Sequence, residues 1–204
     1  MHYVKHLSKD EKLKNLIRHH GTFTLNKQKN LYLYLCYSIM SQQLSTKVAR
    51  VIKQRFLDLY GVEPTPQQIV DTPFEKLRAI GLSNAKVNYV QNVARFEIEK
   101  GMDHKRLAKM SNEEVIIYLT EIKGVGRWTV EMLLMFALGR EDLFAIDDLG
   151  LQQAVIGLYD LKHRKKKIMN AKILKISEQW SPYHACLYLW RWKDNPPVVN
   201  EKKK

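Results

Sequence analysis

The stretch that decides the fold is LTEIKGVGRWTVEMLLMFAL, residues 119–138. Apolar residues recur at helical spacing on both sides of Gly124-Val125-Gly126, which predicts two helices joined by a tight hairpin. The glycines let the backbone amides approach an outside surface, and amides at the start of a helix favour an anion such as a DNA phosphate. The tripeptide taken alone is explained more simply by a helix–helix turn that ends in a glycine cap.

Residues that begin and end helices recur along the rest of the chain. Predicted N-caps are Ser8 with Glu11, Ser45, Thr65-Pro66, Thr72-Pro73, Ser83 and Ser111 with Glu114. Six of the 9 glycines fall where such segments stop, namely Gly21, Gly61, Gly81, Gly101, Gly124 and Gly139. Because no segment alternates apolar and polar residues convincingly, we predict an all-α fold of about ten short helices.

The composition indicates a globular protein with an anionic partner. A chain of 204 residues has room for one compact domain or for two small lobes that share a cleft. The net charge of +13 favours nucleic acid over an anionic membrane or a polyphosphate. Most of the excess charge lies in Lys162–Lys175 and in the tail 201–204, where a solvated surface is the plain alternative.

Cysteine spacing and hydropathy indicate the cellular compartment in which the protein is expected to work. Cys36 and Cys186 lie 150 positions apart, too far for a local metal motif and a poor basis for a disulfide framework. The sequence has neither a run of 18 apolar residues nor a secretory signal at its N-terminus. We therefore expect an intracellular protein without a membrane partner, cytoplasmic or nucleoid-associated if bacterial and nuclear if eukaryotic.

Five ordered blocks of sequence resemble a known family. The blocks are IMSQQLS (39–45), IGLSNAK (80–86), IKGVGRWT (122–129), FAIDDLGL (144–151) and WSPY (180–183) with LWR (189–191). Together they resemble the helix-hairpin-helix (HhH-GPD) DNA glycosylase superfamily, and within it the DNA-3-methyladenine glycosylase II branch. The resemblance implies a two-lobed helical fold with the active-site cleft between the lobes. It also implies a helical lobe near 30–110, a hairpin lobe near 111–192 joined by the N-terminal helix, and a basic tail at 193–204.

The resemblance implies that Asp148 is the catalytic carboxylate, with Asp147 as a helix cap or a supporting group beside it. The chemistry agrees, because cleavage of an N-glycosidic bond builds positive charge on the sugar. A nearby carboxylate stabilises that charge while it orients or deprotonates a water. The plain alternative for either aspartate is the N-cap of a helix that begins near Leu149.

Two departures from relatives imply a monofunctional enzyme without an iron-sulfur cluster. Bifunctional relatives carry a Schiff-base lysine where this sequence has Trp128, and no imine forms there without that amine. Relatives of the endonuclease III type carry a four-cysteine cluster motif that the 2 cysteines of this chain do not supply. The resemblance allows one ion, a structural Na⁺ or K⁺ at the hairpin carbonyls of Ile122 and Gly124, and no other metal or cofactor.

The resemblance also assigns DNA and base contacts. Trp128 and Tyr183 are expected to wall the pocket that holds the flipped base, whereas core packing is the preferred interpretation for Phe23 and Tyr34. The implied DNA contacts are Gly124, Val125, Gly126, Arg127 and Thr129 in the hairpin, and Gln43, Leu44 and Ser45 in a loop. Either Gln43 or Leu44 would fill the gap in the base stack, and a polar interhelical turn is the alternative for that loop.

The expected function is release of alkylated purines, of the 3-methyladenine and 7-methylguanine type, from double-stranded DNA during base excision repair by a monomer. A cationic alkylated base has a weakened glycosidic bond and stacks well on aromatic faces. Two alternatives remain open: a non-catalytic module that binds damaged DNA, and a glycosylase for uracil, hypoxanthine or oxidised guanine.

Overall fold

The computed structural model describes residues 2–24, 27–162 and 165–195, and in these ranges it contains helices, turns and loops but no strand. This agrees with the all-α prediction. The predicted basic tail lies outside the described residues from position 196 onward. None of the described helices is long and apolar enough to cross a lipid bilayer.

The described residues form thirteen α-helices, more than the sequence predicted because four of them are only four to six residues long. In chain order these are α1 His2–Leu7, α2 Glu11–His20, α3 Leu31–Ser41, α4 Thr46–Tyr60, α5 Pro66–Asp71, α6 Phe74–Ala79, α7 Asn84–Glu99, α8 His104–Leu107, α9 Asn112–Thr120, α10 Arg127–Leu133, α11 Leu149–Tyr159, α12 Lys166–Ser177 and α13 Pro182–Asp194. A π-helical turn, Leu134–Leu138, continues α10.

The chain divides into two compact units. The terminal unit comprises residues 1–25 and 140–204, and the central unit comprises residues 26–139. The sequence predicted a division near residue 110 instead, with the hairpin in the second lobe. The hairpin belongs to the central unit because α10 packs on α3, where the Tyr34 hydroxyl donates to the Met132 carbonyl at 3.1 Å.

Helix α3 is the core of the central unit. It is apolar almost all round, which suits a helix enclosed by others, and α4, α7 and α10 pack on it. Five of its residues are buried to 1% exposure or less: Leu33, Leu35, Cys36, Ile39 and Met40. In the terminal unit, α13 packs on α11 and α2.

Most helix ends occur where the sequence predicted them. Ser45, Thr65, Ser83 and Ser111 cap α4, α5, α7 and α9, and all six predicted stop glycines have positive φ angles. The cap predicted at Ser8 is wrong, because the Ser8 amide donates to the Val4 carbonyl and so ends α1. Asp10 caps α2 instead, accepting from the amides of Lys12 and Leu13. The cap predicted at Thr72 is also wrong, because its hydroxyl donates to the Gln68 carbonyl at 2.7 Å and Pro73 is the N-cap of α6.

Candidate active site

The Gly124-Val125-Gly126 hairpin of the central unit has the backbone geometry that the sequence predicted. Gly124 adopts φ +105°, and a Cβ at this position would lie 2.1 Å from Tyr89 Cγ, so a larger residue does not fit. The Val125 amide donates to the Ile122 carbonyl at 2.9 Å and closes the turn. Gly126, which has no side chain, is the N-cap of α10, so the first amides of that helix point outward without an intrahelical acceptor.

Arg127 lies in the hairpin, but its side chain is held by two carboxylates. Its guanidinium donates to both oxygens of Glu113, at 2.9 and 2.8 Å, and its Nε donates to Glu131 at 3.1 Å. These contacts raise the pKa of Arg127 and tie α10 to α9. The sequence predicted a DNA contact for this residue, and the structure leaves its backbone amide as the group suited to one.

The loop 42–45 exposes all three of its predicted residues, Gln43, Leu44 and Ser45. Gln43 is in the left-handed region at φ +57°, which is rare for a residue with a side chain. Gln43 is exposed, and the Leu44 side chain is 37% exposed. Ser45 accepts from the Val48 amide and caps α4. The loop is therefore a defined turn that displays a polar and an apolar side chain.

Lys86, on α7, fixes the backbone at the start of this loop. Its ammonium donates to the carbonyls of Met40 at 3.0 Å and Gln42 at 2.8 Å, so a positive charge lies at the C-terminal end of α3. Burial lowers the pKa of Lys86. The Gln42 side chain contacts the Thr129 hydroxyl on α10 at 3.5 Å. Lys86 is in one of the family-like blocks, but nothing in the sequence showed which carbonyls accept its hydrogen bonds.

The central unit contains a cavity of about 1080 Å³. Predicted residues Gln43, Trp128 and Thr129 line it, and the Trp128 side chain is 43% exposed. Its other lining residues include Tyr34, Tyr37, Phe136, Lys53 and Glu63. Tyr34 therefore lines a cavity where core packing was preferred. Tyr37 and Phe136 were missed, because an aromatic residue on an apolar helix gives no signal of which ring faces the cavity.

The other aromatic candidates belong to the terminal unit. Tyr183 is 4% exposed, and its ring meets His184 edge-on at 5.0 Å, so the described contacts place it in a packed core. Phe23 packs on Tyr188 with ring centroids 4.7 Å apart, which agrees with the core position expected for it. Neither ring lines the cavity of the central unit.

Asp148, in the terminal unit, is a buried carboxylate, with 9% of the residue exposed. It is the N-cap of α11, and its Oδ1 accepts from the Leu151 amide at 2.7 Å. The Asp148 amide donates to the Ala145 carbonyl at 3.0 Å, which fixes the backbone before the helix. The carboxylate is therefore held at the N-terminal end of a helix.

The structure corrects one of the two roles suggested for Asp147, that of the helix cap. Asp147 lies in the turn before α11 and is exposed, and Asp148 is the residue that caps the helix. The cap falls on Asp148 because its backbone is extended, at φ −70° and ψ 116°, immediately before the first helical residue. The sequence left the cap open between the two aspartates, and the structure gives it to the predicted catalytic residue.

Within the described residues, no group of three or more His, Cys, Asp or Glu side chains could hold a metal ion. Cys36 and Cys186 are both buried, and burial raises the pKa of the Cys36 thiol. The Ile122 carbonyl accepts one hydrogen bond, from Val125, and a carbonyl oxygen has a second lone pair. Its chemistry therefore fits the alkali cation considered for the hairpin.

Comparison with known proteins identifies the family. The family model described as "HhH-GPD superfamily base excision DNA repair protein" matches residues 36–179. The chain is 40% identical over 191 residues to DNA-3-methyladenine glycosylase 1 of Schizosaccharomyces pombe, covering 89% of this chain and 82% of that protein. It is 31% identical over 199 residues to a putative DNA-3-methyladenine glycosylase of Bacillus subtilis, covering 93% of this chain and 68% of that protein.

Solved structures give the same result. The S. pombe 3-methyladenine DNA glycosylase, in complex with abasic DNA, matches with a TM-score of 0.82 and 35% identity, covering 95% of this chain and 97% of the other. A Bacillus halodurans DNA-3-methyladenine glycosidase matches with a TM-score of 0.79 and 33% identity, covering 93% and 88%. The family, the enzyme class and the all-helical fold predicted from the sequence are confirmed. This chain belongs to the HhH-GPD superfamily of base excision DNA repair proteins.

Proposed function

We propose that this chain is a monofunctional DNA glycosylase that hydrolyses the N-glycosidic bond of alkylated purines in double-stranded DNA. The observation that carries the proposal is Asp148, a buried carboxylate fixed at a helix N-terminus in the middle of a family-like block. The S. pombe relative that is 40% identical to this chain is named DNA-3-methyladenine glycosylase 1. Removal of such bases is the first step of base excision repair.

Asp148 performs the chemistry by charge and by position. As the base leaves, the sugar becomes an oxocarbenium-like cation, and the Asp148 carboxylate stabilises it and orients or deprotonates the attacking water. Its fixed rotamer means that little reorganisation is needed at the moment of reaction. An alkylated purine already carries a positive charge, so the leaving group needs little protonation.

The central unit supplies the groups that hold a flipped base and its DNA. Trp128 presents an exposed indole face in the cavity, and an electron-poor alkylated ring stacks well on such a face. Tyr34 and Phe136 add aromatic walls to the same cavity. Trp128 also occupies the position of the lysine of bifunctional relatives, so the proposed reaction ends at an abasic site without an imine.

The hairpin and the loop bind the DNA backbone and fill the space left by the base. The outward amides of α10 bind a phosphate, and Gln43 or Leu44 inserts into the stack. An alkali cation held by the Ile122 and Gly124 carbonyls would add positive charge beside that phosphate. Exposed lysines of α12, including Lys166, Lys167 and Lys172, add sequence-independent attraction that weakens with salt. We further propose that the enzyme acts as a monomer.

The experiment that tests this function is a lesion panel under single-turnover conditions. Excess enzyme is incubated with methylated DNA and with duplexes that contain one 7-methylguanine, hypoxanthine, uracil or oxidised guanine. Free base is measured by mass spectrometry, and strand breaks are measured with and without hot alkali. We expect release of 3-methyladenine and 7-methylguanine, with strand breaks only after alkali.

Each contrary result removes a different part of the proposal. Strand cleavage without alkali would contradict monofunctional chemistry. Release of uracil or oxidised guanine alone would assign another lesion class. Tight binding to lesion duplexes with no base released from any of them would identify a non-catalytic DNA-binding module.

A further inference from the structure

The carboxylate of Asp148 receives a second hydrogen bond that its capping role does not require. The indole Nε1 of Trp190, on α13, donates to Asp148 Oδ1 at 3.0 Å. The same oxygen accepts from the Leu151 amide at 2.7 Å. Donors from two helices therefore converge on one carboxylate oxygen, one from the backbone of α11 and one from a side chain of α13.

Two glycines on α11 make this approach possible. Gly150 and Gly157 are seven residues apart, so they lie on the same face of the helix. A Cβ at position 150 would lie 3.0 Å from Asp148 Oδ1 and 3.4 Å from Trp190 Cδ1. A Cβ at position 157 would lie 2.8 Å from Trp192 Cη2. Glycine within a helix costs about 1 kcal/mol relative to alanine, and here it leaves room for two indoles.

We propose that Trp190 is a positioning residue for base release, and that Gly150 keeps the space in which its indole meets Asp148. This inference rests on the proposed catalytic role of Asp148. A hydrogen bond from the indole restricts the rotation of the carboxylate about the Cα–Cβ and Cβ–Cγ bonds. Trp190 thereby holds the carboxylate in the direction that stabilises the developing sugar cation.

The molecule contains a matched control for this contact. Trp180, in the same unit, donates its indole N–H to Oδ2 of another capping aspartate, Asp10, at 3.3 Å. Replacing either tryptophan with phenylalanine keeps an aromatic ring and removes one N–H···carboxylate bond. The two variants differ in which aspartate loses its donor.

The test compares Trp190→Phe, Trp180→Phe and Asp148→Asn with the wild-type chain. Single-turnover release of 7-methylguanine from a duplex is measured together with the affinity for a duplex that contains an abasic site. We expect Trp190→Phe to lower the rate about tenfold, because it removes one hydrogen bond to a charged group. We also expect its affinity for the abasic duplex to stay unchanged, because the indole acts on the carboxylate and not on DNA binding. Trp180→Phe should keep the wild-type rate and affinity.

A second pair of variants tests the contact without altering the indole. Gly150→Ala places a methyl group against Asp148 Oδ1, whereas Gly157→Ala places one against Trp192 at the same interface between α11 and α13. We expect Gly150→Ala to slow base release more than Gly157→Ala does. Thermal unfolding of each variant confirms that the rates refer to folded protein.

The outcomes separate this inference from the function on which it rests. If Asp148→Asn is inactive while Trp190→Phe keeps the wild-type rate, the inference is overturned and the proposed function stands. If Asp148→Asn keeps the wild-type rate, the catalytic assignment fails and the inference fails with it. Equal losses in Trp190→Phe and Trp180→Phe would show a general structural effect and overturn the positioning role.

Discussion

Two aspartates in the terminal unit cap helices and accept an indole N–H, yet they are held in different ways. Asp10 divides its donors between its oxygens: Oδ1 accepts from the Lys12 and Leu13 amides, and Oδ2 accepts from Tyr159 at 2.5 Å and Trp180 at 3.3 Å. At Asp148, the Leu151 amide and Trp190 both donate to Oδ1. The bonds to Asp10 join distant parts of the chain. The two bonds to Asp148 fix the orientation of one carboxylate.

The donors to the two aspartates come from different parts of the terminal unit. The partners of Asp10 come from the last residue of α11 and from the turn after α12, so the aspartate links three segments of the unit. The partners of Asp148 come from the helix it caps and from the helix packed beside that one. We infer that Asp10 contributes mainly to stability and Asp148 mainly to catalysis. Variants of Asp10 should therefore lower the free energy of unfolding, whereas variants of Asp148 should lower the rate of base release.

The largest expected effect on stability is that of Asp10→Ala. This change removes the cap of α2 and leaves the partly buried Tyr159 hydroxyl and Trp180 indole without their acceptor, so we expect a loss of about 2 to 4 kcal/mol in the free energy of unfolding. Urea unfolding followed by circular dichroism measures it. A loss below about 0.5 kcal/mol would contradict the structural role of Asp10.

A smaller effect is expected for Tyr159→Phe, about 1 kcal/mol near neutral pH, because one hydrogen bond to Asp10 is lost. Burial and the bond to Asp10 raise the pKa of Tyr159, so its proton is held more tightly in the folded chain. The stabilisation is complete below the usual tyrosine pKa of about 10 and declines as pH rises above it.

Urea unfolding at two pH values, about 8 and about 10.5, tests this sign. The wild-type chain should lose more stability over that interval than Tyr159→Phe does, since the variant lacks one of the tyrosines whose pKa is raised. An equal or greater loss in Tyr159→Phe would contradict the stabilisation that we assign to the pair of Tyr159 and Asp10.

The smallest effect on stability is expected for Asp148→Asn. Asparagine caps a helix about as well as aspartate, and its carbonyl oxygen still accepts from Leu151 and Trp190, so the change should stay within about 0.5 kcal/mol. Urea unfolding under the conditions used for Asp10→Ala provides the comparison. A loss as large as that of Asp10→Ala would mean that the Asp148 cluster is structural as well.

The sequence was sufficient for the features that depend on neighbours along the chain. Stop glycines, most caps and the hairpin are local, and the helix predicted to begin near Leu149 begins at that residue. The choice between Ser8 and Asp10 as a cap was not local. Both are good capping residues, and the contacts of Asp10 with Tyr159 and Trp180, 149 and 170 positions away, distinguish them only in the fold.

The rest of the candidate site depends on packing that the sequence does not display. Arg127 was predicted to contact DNA, but Glu113, 14 positions earlier, holds its guanidinium. The cavity walls Tyr37 and Phe136 and the donor Trp190 look like core aromatics in the sequence. Only the spacing of Gly150 and Gly157 on a mostly apolar helix carries a signal, because two glycines on one helix face allow another helix to approach closely.

The most direct test of the central claim is single-turnover release of 7-methylguanine from duplex DNA by Asp148→Asn, with Asp10→Asn as the matched control. We predict that Asp148→Asn lowers the rate at least about a hundredfold while the folded chain still binds an abasic duplex as the wild type does. Asp10→Asn should retain the wild-type rate. Base release by Asp148→Asn at the wild-type rate, or an equal loss in both variants, would contradict the account.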